Sequence, residues 1–279
     1  MNVVEQTLGL LSESDFVSLS AGVKLKDTIL TDRANGARHY VTKNARRPLR
    51  LLGVGMTLSS WLEASNLTEF QAFEIIRFVN GIGCLQIQRS RLQGMRHLGR
   101  RAQLRLRGVQ LQIPAKRYSA TVLGVVNAVL RALRPILVAV LVSFGLAYGA
   151  NMLTGSYIAG HLVLVGSLAV TTTLHEYVHL YIAQSQGANA QVVVRGLRIG
   201  VLHQPLSPVY EVLSALTGPL TGLVAAAVVM ALTLAVNPSM FVVLSAGIVC
   251  VFHCVSWLPE YGDGVALKKY WRNRHERTT

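Results

Sequence analysis

A chain of 279 residues that is 51% hydrophobic also carries 27 Lys and Arg against 13 Asp and Glu, for a net charge of +14 and a mean hydropathy of +0.41. That pairing of apolar content with strong positive charge excludes an ordinary soluble domain and suits a basic membrane protein. Three cysteines are too few for a disulfide framework, and Met1 to Asp15 lacks the basic start and apolar run of a secretory signal, so the N-terminal part is expected to stay in the cytoplasm.

Residues 1–90 alone have soluble-type composition and read as a small α+β domain. Gly22 to Leu30 and Arg38 to Thr42 alternate like short strands about a turn at Asn35-Gly36. Leu58 to Ala64 and Phe70 to Asn80 read as helices, the second starting at Thr68 with Glu69 and Glu74 behind it. This order resembles the winged-helix-like, PqqD-type domains that hold leader peptides in ribosomal peptide maturation. The resemblance implies a cytoplasmic domain that recognises or restricts substrates; an unrelated docking domain is the alternative.

Residues 91–134 read as a basic linker and an interfacial helix. Arg89 to Arg117 holds nine Lys and Arg residues and no acid. Without interleaved aromatics, and next to a membrane segment, that run points to anionic lipid headgroups and not to nucleic acid. Tyr118 to Arg134 is amphipathic and is expected to lie along the interface before Pro135 opens the first span.

Four apolar runs follow in residues 135–265: Pro135 to Leu153, Tyr157 to about Ala183, Val212 to Val236, and Met240 to about Leu258. The connectors Thr154 to Ser156 and Asn237 to Ser239 are uncharged. Arg195 and Arg198 lie in the middle connector, and the tail, 266–279, carries Lys268, Lys269, Arg272, Arg274 and Arg277. The expectation is a multi-pass α-helical protein of the cell membrane with about four transmembrane helices and both termini cytoplasmic.

The second run contains His175-Glu176-Tyr177-Val178-His179. On a helix, histidines four residues apart share a face and can grip one metal ion, while Glu176 can take a proton from a water polarised by that ion. Two histidines satisfied in a core are the ordinary alternative. His175 lies eighteen residues beyond Tyr157, about 27 Å along a helix in a hydrocarbon layer of about 30 Å, which puts the site near the cytoplasmic face. The fourth run ends at the same depth, and beyond it Pro259 and the glycines around Asp263 make that carboxylate the expected third ligand of one zinc ion. Glu260 is the competing carboxylate, disfavoured by its place directly after the proline.

These residues resemble the site-2 protease family of intramembrane zinc metalloproteases. The matches are the His-Glu-x-x-His string, the turn from Pro259 to Asp263-Gly264, and a Gly218-Pro219 pair in the intervening helix, over roughly Gly155 to Val265. The chain departs from the family where asparagines are expected: Gly222 and Ser256 stand at those places, and the proline turn is about a residue short. The resemblance implies an enzyme, a zinc metalloprotease acting on membrane-spanning or membrane-associated peptides, with Glu176 as base and Gly218 and Pro219 at the substrate. The alternative is a non-catalytic membrane receptor or peptide-export component on the same scaffold, for which a carboxylate at the base position has no use.

The middle connector, Gln191 to Val201, is β-rich. Val193 and Val194 are candidates for holding an extended peptide by strand addition; a plain shielding hairpin is the alternative. Cys250 and Cys254 read as small buried groups, and His253 and His161 as too far out along their helices to reach the same ion. The role of Thr171, Thr172 and Thr173 stays open.

Overall fold

The computed structural model describes residues 11, 14–88, 115–236, 238–258 and 262–275. It divides into two units, Met1–Arg117 and Tyr118–Thr279. Most of the basic run and the Pro259-Glu260-Tyr261 turn lie outside the described residues.

In the first unit, β1 (Phe16–Leu19), β2 (Val23–Lys26), β3 (Ile29–Asp32) and β4 (Arg38–Tyr40) precede α1 (Arg46–Val54), β5 (Met56–Thr57), α2 (Leu58–Ser65), α3 (Glu69–Gly81) and β6 (Leu85–Gln88). β2, β3 and β4 form an antiparallel meander, and β1 is paired on both sides, with β5 and β6. Gly36 takes a positive φ of 71° at the expected turn, and Asp27, at 52°, turns β2 into β3. α3 begins in a capping box in which Thr68 and Gln71 each bond the other's backbone N–H. Its Ala72, Ile76 and Val79, at helical spacing, pack with Val17, Leu49, Leu52, Trp61 and Leu85 into one core. The Trp61 indole N–H donates to Pro48 O at 2.9 Å, which satisfies the polar atom of the largest buried side chain.

Among the described residues, one ion pair is buried here. Arg117 donates through both guanidinium ends to Asp32, at 2.9 and 2.8 Å, and also to Gly83 O. Burial pushes the Asp32 carboxyl up, but the hydrogen bonds and charge of Arg117 outweigh it and hold the carboxyl below its usual range. Arg117 thus ties the last residue of this unit to its sheet.

β7 (Lys116–Tyr118) carries the chain across the division into α4 (Val122–Gly149), α5 (Gly155–Ser185), β8 (Ala190–Arg195), β9 (Arg198–His203), α6 (Pro208–Val236), α7 (Met240–Val255) and α8 (Gly262–His275). Among the described residues, α4, α5 and α6 are long and apolar enough to cross a membrane, and α7, with 16 residues, is a shorter apolar helix. The expected break at Pro135 is absent: α4 runs through it from Val122, so Val122 to Arg134 belongs to the same helix as the first apolar run. Pro135 forfeits one backbone bond, to the carbonyl four residues back, and the long apolar helix around it outlasts that loss.

Val125, Val129 and Leu133 of α4, Leu168 and Leu180 of α5, Val192 and Val194 of β8, Ala226 of α6 and Val249 of α7 form the second unit's core. Outside it, Leu216, Leu220, Val224, Val228 and Leu232 line one exposed stripe of α6 at four-residue intervals. An apolar face of that length is costly in water and at home in lipid. Hydroxyls inside the helices find partners locally: Thr171 donates to Ser167 O at 2.8 Å and Thr173 to Ala169 O at 2.7 Å.

Candidate metal centre

α5 presents His175, Glu176 and His179, all buried, in its last third. Asp263 comes from the first turn of α8. It is held close to the end of α7: Gly264 N donates to Ser256 O at 3.1 Å, and a Cβ at Gly264 would fall 2.0 Å from Leu258 O, so no larger residue fits after Asp263.

The three side chains converge on one point. His175 Nε2 lies 3.2 Å from Asp263 Oδ2, His179 Nε2 lies 3.3 Å from Asp263 Oδ1, and the two Nε2 atoms are 3.2 Å apart. Donors around a tetrahedral ion with bonds of about 2.05 Å sit about 3.3 Å from one another; the two nitrogens have that separation, and each has it to one oxygen of the Asp263 carboxylate. The group can hold a metal ion. Glu176 Oε1 stands 4.0 Å from His175 Nε2, beside the group and not in it. Burial pushes the Asp263 carboxyl up, yet hydrogen bonds to His175 and His179 hold it down at about 2, so it is ionised as a ligand must be.

Helix α6 supplies the support. Ser214 Oγ lies 2.8 Å from His179 Nδ1, the partner that turns Nε2 towards an ion. Gly218 gives clearance: a Cβ there would sit 2.2 Å from His179 Nε2. The adjoining Pro219 is buried inside α6 and withholds the helical donor from Ala215 O. Ser214, Gly218, Gly222 and Ala226 are all buried, one every four residues, and this stripe of small residues lets α6 approach the histidines. The sequence singled out Gly218 and Pro219 for the substrate and not for this packing against His179, and it missed Ser214, although the four-residue spacing was there to read.

A cavity of about 250 Å³ opens beside the group, lined by Glu176, His179, Asp263, Ser214 and Glu211 and, from β9, by Ile199, Gly200, Val201 and His203. No family model, curated protein or solved structure matches the chain. The hairpin's role is therefore read from its own placement. β9 is an edge strand of the sheet β7-β8-β9. Val193 and Val194 lie on β8, where Val194 is buried in the core, and they pair with Gly200 and Ile199 of the strand that faces the cavity.

His253 stands outside the ligand group, as expected, yet it lies beside it. It is buried, its ring stacks on that of His175 with centroids 5.5 Å apart, and its Nε2 lies 2.8 Å from Thr171 Oγ1. Counting along one continuous helix separated it from Asp263 by three turns. Instead α7 ends at Val255, Gly264 N donates to Ser256 O, and both His253 and Asp263 stand beside α5. His161 behaves as expected, packing with Tyr157 and Phe144 near the other end of α5. Cys250 is half-buried and Cys254 exposed. Glu260 lies outside the described residues.

Proposed function

We propose that this chain is an intramembrane zinc metalloendopeptidase similar to the site-2 protease family, cutting membrane-spanning or membrane-associated peptides near the cytoplasmic face, in regulated proteolysis or peptide maturation. The observation that carries this reading is the convergence of His175, His179 and Asp263, whose two nitrogens lie 3.2 Å apart and each 3.2–3.3 Å from a carboxylate oxygen of Asp263, with Glu176 beside them. Two neutral nitrogens and one carboxylate suit zinc, and three protein ligands with an open fourth position are the usual catalytic set. A zinc ion held there would polarise a peptide carbonyl and lower the pKa of water towards neutrality. Glu176 then takes the proton of the attacking water and returns it to the leaving amine. The exposed edge of β9, one wall of the cavity, would hold a peptide extended by main-chain hydrogen bonds with its scissile bond towards Glu176.

In this reading the chain lies in the cell membrane with both termini cytoplasmic, and α7, about 24 Å long, makes the fourth crossing. The basic run rests on anionic headgroups, and the first unit chooses substrates. Incubating the purified protein with membrane peptides, with and without a chelator, tests the proposal. Cleavage that the chelator stops and added zinc restores supports it; binding of the same peptides with no cleavage under either condition would turn the reading to a receptor.

A further inference from the structure

We infer that His253 is a positioning residue for this centre: a neutral imidazole anchored on Thr171 and seated over Gly222, it holds the ring of His175 in its ligating orientation by stacking. The inference rests on the metallopeptidase reading above.

The hydrogen bonds define the state of the ring. Thr171 donates its hydroxyl proton to Ser167 O at 2.8 Å, so its oxygen has only lone pairs left for His253. His253 Nε2–H must therefore be the donor in the 2.8 Å contact. Nδ1 then bears the lone pair, and it is a buried atom with no hydrogen-bond partner among the described residues. A doubly protonated ring would leave a buried N–H pointing at nothing, which the neutral tautomer avoids.

The packing defines its direction. Thr171 sits one helical turn before His175 on α5, so the anchor and the ring it steadies belong to the same helix face. His253 reaches both from α7, with its plane 30° from that of His175. Behind it, a Cβ at Gly222 would come within 2.4 Å of His253 Nδ1, so the α6 backbone closes the side to which the ring could swing. A histidine bound to a cation loses electron density to it. A neutral aromatic face beside such a ring is attractive, whereas a charged one would repel it. A residue present only to fill space would not carry a buried nitrogen without a partner.

The test uses the full-length protein in detergent, with zinc affinity read by competition against a chromophoric chelator and ligand geometry by the visible spectrum of the cobalt-substituted form. His253→Ala, which removes both ring and anchor, is expected to weaken zinc binding about 10- to 100-fold. His253→Phe keeps a ring in the same space and should recover most of that loss, while His253→Gln, which keeps a donor without a ring, should not. Thr171→Val frees the ring to turn and should shift the cobalt spectrum. Should His253→Ala fail to fold, the Phe, Gln and Thr171 variants carry the comparison. Wild-type zinc affinity and an unchanged cobalt spectrum in His253→Ala and Thr171→Val would overturn the inference while leaving the zinc reading intact. Equal losses in His253→Phe and His253→Ala would also overturn it. A wild-type protein that binds no zinc would instead remove the reading on which the inference stands.

Discussion

Gly218 gives the sharpest prediction, because a single methyl group there has a computable consequence. The Cβ of Gly218→Ala would fall 2.2 Å from His179 Nε2 and 2.6 Å from its Cε1. Carbon and nitrogen need about 3.5 Å, so helix or ring must give way by about 1.3 Å. His179 is also held by Ser214 at 2.8 Å, one turn earlier on the same helix, and a coordination bond of about 2 Å does not survive such a shift. The expected outcome is loss of most bound metal and at least a 100-fold drop in peptide cleavage, of the size seen when a reacting group moves by about 1 Å. Gly166→Ala on α5 is the control, since a Cβ there meets nothing within 4 Å and should leave activity unchanged. Metal content by mass spectrometry and cleavage of a membrane peptide read both variants. If Gly218→Ala keeps full metal and full turnover, the close packing of α6 on the ligand is not what the geometry implies.

Glu176→Gln keeps the shape of the side chain but cannot accept a proton. It should retain zinc while cleavage falls by several orders of magnitude, and wild-type turnover would sink its assignment as base. Asp32 has its folded pKa held below the unfolded value, so the stability it contributes is present above about pH 4 and is lost as pH falls through the lowered folded value. Asp32→Asn should cost the first unit about 3 kcal/mol by stranding Arg117, measured by denaturant unfolding at neutral pH, and should flatten the acid limb; an unchanged midpoint would contradict a buried ion pair there. Single cysteines at Asn151 and Asn237, in a background lacking Cys84, Cys250 and Cys254, should react from outside the cell, and one at Thr278 only after permeabilisation. The reverse pattern would move the site to the outer side.

The site was legible where chemistry sits at a fixed spacing. His175 and His179 show themselves four residues apart on one helix, and Asp263 declares itself by a proline before it and glycines on either side. Distance along the chain misled for His253, which was counted in helical turns from Asp263 although Gly264 N donates back to Ser256 O and its ring stacks on that of His175. Pro135 misled because a proline signals a helix start in water, whereas α4 carries it in its interior. Strand alternation marked both arms of the hairpin but could not tell which arm would face the cavity. That depends on the core formed by Val192 and Val194 with α4 and α5, a tertiary choice. The Asp32–Arg117 pair, 85 residues apart in sequence, left no local signal at all.

The central claim is that His175, His179 and Asp263 together hold one zinc ion. Metal analysis of the purified protein tests it most directly: the wild type should carry one zinc per chain, and His175→Ala, His179→Ala and Asp263→Ala should each lose most of it. Full zinc occupancy after Asp263→Ala would contradict the account and pass the third ligand to another carboxylate, Glu260 first.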